Sequence, residues 1–125
     1  MTRPRVDLEF TAFYPENRSV VIPAGGSLSD VVDLDGVKLL GIQIPSAWDA
    51  ANLTFQVSAN GVAYADLYNQ AGSEVVVNAA AGRFIALDPA LFAGIRFLRI
   101  RSGTAANPIN QTAARTLLLV ARAIY

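Results

Sequence analysis

The chain has 125 residues, ten basic and ten acidic side chains, no histidine and no cysteine. Those absences exclude Ser-His-Asp and Cys-His catalysis, imidazole pH switching, disulfide bridges, and zinc or iron–sulfur sites built on thiolates. Zero net charge argues against nucleic acid as a partner, because duplex binding rests on a surplus of Lys and Arg. The length suits a single domain with its own core.

Short runs rich in Val, Ile, Leu, Phe and Tyr alternate with clusters of Gly, Pro, Asn and Asp, and helical periodicity is nearly absent. Val6 to Tyr14 alternates Val6, Leu8, Phe10 and Ala12 against Asp7, Glu9 and Thr11, the pattern of a strand with one wet face. A second strand covers Ser19 to Pro23 and a third Leu28 to Leu34. Asp35-Gly36 then predicts a type I′ hairpin into Val37 to Ile44. Trp48 lies in the connection that follows. Leu53 to Ser58 alternates cleanly, Asn60-Gly61 is a second type I′ candidate, and Val62 to Tyr68 returns from it. Val75-Val76-Val77 and Arg83 to Leu87 come next. Asp88-Pro89 predicts one helical turn over residues 89–93, with Asp88 as its cap. Ile95 to Arg101 changes the parity of its apolar residues between Phe97 and Leu98, which predicts a bulge there. Thr116 to Tyr125 is apolar on both parities as far as Arg122. It therefore reads as a central strand covered on both faces, with a neighbouring subunit as the cover for any face this chain leaves open.

About nine short strands and no helix long enough for a parallel crossover indicate an all-β chain. The expected fold is an antiparallel β-sandwich, jelly-roll-like or immunoglobulin-like. The expected organisation is an N-terminal arm or first strand over residues 1–18, available for intersubunit contact, and one sandwich domain over 19–125. No stretch reaches the ~18 apolar residues of a spanning helix, and Met1 to Arg5 has no apolar run behind it, so no membrane association and no secretory leader are expected.

Few residues invite chemistry. Asp30, Asp33 and Asp35 suggest a calcium loop, but their spacing differs from an EF-hand and strand parity sends Asp30 and Asp33 to opposite faces. Asp49, Asp66, Glu74 and Asp88 are acids near loops, each with a sufficient structural reading as a cap or a solvent-side residue. No cofactor, metal or catalytic residue is expected. Two binding surfaces are. Arg96, Arg99 and Arg101, with Arg122 and the N-terminal Arg3 and Arg5, could meet an acidic partner, since arginine favours planar ion pairing. Trp48, Tyr64 and Tyr68 could form a glycan-stacking platform. Charge is also polarised: residues 1–62 carry four basic and seven acidic groups and residues 63–125 carry six and three. This fits either complementary sheets within one domain or complementary faces between subunits.

The segments Leu39-Leu40-Gly41-Ile42-Gln43-Ile44-Pro45-Ser46-Ala47-Trp48, Leu53 to Gly61, Phe92-Ala93-Gly94-Ile95-Arg96 and Ile100-Arg101-Ser102-Gly103-Thr104 resemble small proteins of tailed bacteriophages and prophages. The likeness covers roughly residues 38–122. It implies a virion-associated β-sandwich, either a capsid decoration protein or a head-spike or fibre component, and carries no catalytic residues with it. The implied partners are the major capsid protein or other virion proteins and further copies of the chain, with a trimer favoured. The implied location is the capsid exterior, after synthesis in the host cytoplasm.

Overall fold

The computed structural model describes residues 16–123. The expected strand over Val6 to Tyr14, with Arg3 and Arg5, lies outside them. The described residues form eight strands: β1 (Arg18–Ile22), β2 (Val32–Asp33), β3 (Lys38–Gln43), β4 (Leu53–Ser58), β5 (Ala65–Asp66), β6 (Phe84–Ala86), β7 (Phe97–Ser102) and β8 (Arg115–Arg122). They build two four-stranded antiparallel sheets, ordered β1-β8-β3-β6 and β2-β7-β4-β5. The pairs β1·β8, β2·β7, β3·β6 and β4·β5 are all hydrogen-bonded. A ribbon that pairs first with last and folds inward in this way is a jelly roll, which decides between the two sandwich types expected from the sequence.

Period-two alternation places one face of each sheet inward. Val20, Ile22, Leu39, Ile42, Ile44, Leu117 and Leu119 of the first sheet meet Val32, Leu53, Phe55, Leu98 and Ile100 of the second, all buried. Phe92 enters from the β6–β7 connection and meets Phe55 edge-to-face, ring centroids 5.2 Å apart. The expected helical turn is a 3-10 turn at Pro89–Leu91, capped by Asp88 Oδ1, which accepts the Ala90 N–H at 3.0 Å.

Three local expectations are corrected. Asp35-Gly36 does not close a hairpin: β2 and β3 belong to different sheets, and the turn carries the chain between layers. Only Gly36 has positive φ (76°), whereas a type I′ turn needs it at both central residues. Asn60-Gly61 does lie in a hairpin, since β4 pairs with β5. That loop spans six residues and is ordered by Asn60 Oδ1, which accepts the N–H groups of Val62 and Ala63, and again only the glycine has positive φ. Finally, pairing of β7 with β4 is unbroken from Phe97 to Ser102, so no bulge sits at Phe97/Leu98; Ile95 and Arg96 simply precede the strand. The register shift is in β3, between Leu39 and Gly41, where inward-facing Leu39 gives way to inward-facing Ile42 and Ile44.

β8 is central, as its composition predicts. Only one of its faces is covered by the described residues. Leu117, Leu119 and Ala121 are fully buried, whereas Thr116 and Leu118 are exposed and Val120 is half-buried.

Candidate functional site

Strand directions define two ends of the sandwich. At one end, the β1–β2, β3–β4 and β7–β8 connections each cross between sheets, and all three converge on Gln111. This side chain has no solvent exposure. Its Oε1 accepts the Asp49 N–H (2.8 Å) and Arg115 Nε (3.1 Å), and its Nε2 donates to the Asp49 carbonyl (3.0 Å) and Ser102 Oγ (2.9 Å). The Gln111 backbone bonds Gly25 and Gly26. The Asp49 carboxylate accepts the Thr112 N–H (2.8 Å), the Thr112 hydroxyl and Arg115 Nη2 (2.9 Å). The Thr112 backbone bond leads the causes that hold this carboxyl below its usual range, followed by the Thr112 hydroxyl and Arg115. A carboxylate so occupied is a structural clasp between the β3–β4 and β7–β8 connections. Nothing in the run Asn110-Gln111-Thr112 signals this role in the sequence, because Asp49 lies 62 residues from Gln111 and Gly25 and Gly26 lie still farther.

The arginines expected to form one surface are divided. Arg99 and Arg101 point to the outer face of the β2-β7-β4-β5 sheet, Arg96 precedes β7, and Arg122 is on the other sheet. Arg96 donates to both carboxylate oxygens of Asp33 at 3.1 and 3.2 Å and lies 3.7 Å from Asp35. The Asp33 bond raises the Arg96 pKa above its ordinary value, and the same bond lowers that of Asp33. Arg101 is buried and both its terminal nitrogens donate to Asp66 Oδ1, while its Nε has no partner among the described residues. Arg122 bonds Asn17 Oδ1 at 2.9 Å. The pairs Arg96–Asp33 and Arg115–Asp49 join the acidic half of the chain to the basic half. Part of the charge polarisation is thus matched within the molecule.

The aromatic trio is also divided. Trp48 is half-buried in the β3–β4 connection and donates to the Ala51 carbonyl at 3.1 Å. Tyr64 is at the opposite end, in the β4–β5 loop, with the Arg99 guanidinium 4.3 Å from its ring centroid. Tyr68 is 52% exposed and forms a bridge with Glu74. Tyr64, Arg99 and Asp66 therefore share the outer side of the β5 region, with exposed Tyr68 two residues beyond β5 and Trp48 at the other end. Asp30, Asp33 and Asp35 do not form one cluster: Asp30 accepts the Val21 N–H, whereas Asp33 and Asp35 share Arg96.

Two further surfaces stand out. A shallow groove of about 390 Å³ separates residues 34–38 from residues 93–96, at the end where Glu16 enters. The outer face of the β1-β8-β3-β6 sheet carries Val21, Leu118 and Phe84 at 39%, 43% and 52% exposure. Registered rows join Ser19, Leu118, Gln43 and Phe84, and then Val120, Gly41 and Ala86. The Phe84 ring lies over Gly41, where a Cβ would come within 2.7 Å of Cζ. The four strands of this sheet contain no Asp or Glu. The sequence shows the apolar outer positions of β8, but it does not show which strands flank them.

Comparison with protein-family models, with curated proteins and with solved structures returned no match.

Proposed function

We propose that this protein is a structural, non-enzymatic component of a tailed-phage virion, bound to the outer surface of the head through the major capsid protein or other virion proteins, and self-associating there. The observation that carries the reading is the contrast between the two outer faces. On the β2-β7-β4-β5 sheet the charges of Arg101, Asp66, Arg96 and Asp33 are spent on one another. On the β1-β8-β3-β6 sheet no described residue covers the apolar, acid-free outer face. An open apolar face on a small jelly roll is what a protein held by its neighbours needs. The sequence resemblance to small phage and prophage proteins supplies the type of assembly.

Co-sedimentation of purified protein with capsids lacking it tests the reading. Saturable binding at a stoichiometry commensurate with the capsid lattice is expected, and protein remaining in the supernatant would overturn it. Removal of residues 1–18 should weaken binding if that segment is a contact.

One observation favours a second reading. Tyr64 and Tyr68 with Arg99 and Asp66 leave an aromatic-polar surface beside β5, of a kind that sugars stack on. This would make the chain a carbohydrate- or receptor-binding module of a head spike or fibre. Glycan-array binding that is lost in Tyr68→Ala, without capsid binding, would favour that role.

A further inference from the structure

A strand at the end of a sheet offers a row of unpaired backbone groups. Of the four sheet ends among the described residues, three are occupied. The outward groups of β1 are met by residues 30–33: the Val21 N–H donates to Asp30 Oδ1 (3.2 Å), the Asp30 N–H to the Val21 carbonyl (3.4 Å), and Arg18 Nε to the Asp33 carbonyl (3.1 Å). β2 is a two-residue strand beside this same corner. The β5 side is followed by residues 67–77, where the Val75 N–H donates to the Leu67 carbonyl and Tyr68 bridges Glu74.

β6 differs. The Ile44 N–H donates to the Arg83 carbonyl and the Leu87 N–H to the Leu40 carbonyl, so residues 83, 85 and 87 direct their backbone groups toward β3. By antiparallel alternation Phe84 and Ala86 direct theirs away from the sheet. Both residues are exposed. On the inner side of the same strand Ile85 and Leu87 are only partly buried, although they pack on the core. The sandwich is therefore open along β6 in its backbone and in its apolar surface at once.

We propose that the β6 edge receives residues 6–14 of a second copy of this chain, added as a strand antiparallel to β6. This rests on the reading of residues 1–18 as a contact element and names the surface that receives it. The sequence Val-Asp-Leu-Glu-Phe-Thr-Ala-Phe-Tyr has the chemistry the edge lacks: alternating apolar side chains to cover Ile85 and Leu87, and Asp7 and Glu9 on the other parity. The receiving sheet has no acidic residue in its strands, and Arg83 stands exposed at the head of β6. Strand addition supplies main-chain hydrogen bonds for affinity and alternate side chains for specificity.

Geometry selects a second copy over the chain's own segment. A strand antiparallel to β6 runs in the same direction as β1 and lies four strand spacings from it, about 19 Å. Its C-terminal end would also be displaced from the start of β1 by about five residues, or roughly 17 Å. The separation is then about 25 Å, whereas the four steps from Tyr14 to Arg18 span at most about 14 Å. A segment paired through Tyr14 cannot return to its own β1.

The absence of cysteine makes the test direct, since any introduced thiols are the only ones present. Copies carrying Asp7→Cys are mixed with copies carrying Ala86→Cys and oxidised, since the proposed register puts Asp7 and Glu9 on the same face as Ala86, and neighbouring single substitutions at positions 6–12 scan the register, because a disulfide needs Cβ atoms about 3.8 Å apart. Disulfide-linked dimers are expected from the mixture, with two adjacent strands giving yield at alternate positions. Removal of residues 1–15, or Ala86→Pro, which deletes the outward N–H and leaves the β3 ladder intact, should weaken self-association about tenfold or more in sedimentation. An unfolding curve on each variant verifies that it is folded. No linked dimer at any position would overturn the proposal, as would linkage only within one doubly substituted chain. Self-association unchanged without residues 1–15 would also overturn it, and would point to direct contact between apolar sheet faces. No capsid is present, so failure here leaves the virion reading to its own assay.

Discussion

Replacing Gln111 with leucine should release the side-chain bonds that tie the β7–β8 crossing to Asp49 of the β3–β4 crossing and to the ends of β7 and β8, while the backbone bonds to Gly25 and Gly26 remain. The amide makes four side-chain hydrogen bonds, using both of its donor hydrogens and two acceptor positions on Oε1. Leucine has similar volume and opens no large cavity. The loss is therefore of hydrogen bonds, and it leaves the Asp49 N–H and carbonyl, Ser102 Oγ and Arg115 Nε without their partner. At about 1 kcal/mol net for each bond the sum is about 4 kcal/mol. Ser102 is fully buried, whereas Asp49 is half-exposed and water can reach part of what it loses, so about 3 kcal/mol is expected. With an unfolding entropy of about 2.1 cal/mol/K per residue, this corresponds to a fall in Tm of about 11 °C. Urea and thermal unfolding followed by circular dichroism measure both. A double-mutant cycle with Asp49→Ala should show strong non-additivity, because the two residues share one network. A cost below about 1 kcal/mol with an unchanged m-value, or additive effects, would refute the view that the crossings are held together through Gln111.

Other outcomes follow from the same geometry. Leu119→Ala should cost about 3 kcal/mol and Leu118→Ala less than about 1 kcal/mol, because adjacent residues of β8 face the core and the open side; equal costs in urea unfolding would contradict the register. Asp66→Ala should cost about 2 kcal/mol by stranding the buried Arg101 guanidinium, and Arg101→Met combined with it should recover stability; no recovery would show that the aspartate acts otherwise. Asp49 has a folded pKa below its ordinary value, so its contribution is complete above about pH 4 and is lost as pH falls through the folded pKa. Asp49→Asn should flatten the decline of the urea midpoint between about pH 4 and 2, and an unchanged slope would remove Asp49 from acid unfolding. Gly41→Ala should destabilise by about 1–3 kcal/mol by driving a Cβ against the Phe84 ring, and Phe84→Ala should relieve most of that cost.

The amino-acid sequence by itself determined the class of fold and much of its alternation. Period-two patterning, turn residues at short intervals and the lack of helical periodicity are local properties, and they specify strands, the proline-led turn at Asp88-Pro89 and the central character of β8. The absence of histidine and cysteine is likewise complete information at the level of composition. Tertiary structure decided everything that depends on which strands become neighbours. Asp35-Gly36 reads locally as a hairpin and joins two sheets instead, because β2 finds its partner in β7. Arg96, Arg99 and Arg101 read as one cationic surface, but Arg96 and Arg101 pair with aspartates 63 and 35 positions distant, and Arg122 lies on the other layer. Gln111 is unremarkable in sequence and central in space, since its side chain bonds Asp49, Ser102 and Arg115 while its backbone bonds Gly25 and Gly26. Pairing energies in a jelly roll are set by contacts far apart along the chain. Local pattern tells which residues form strands; only the closed ribbon tells which edge of a sheet, here β6, has no partner among the described residues.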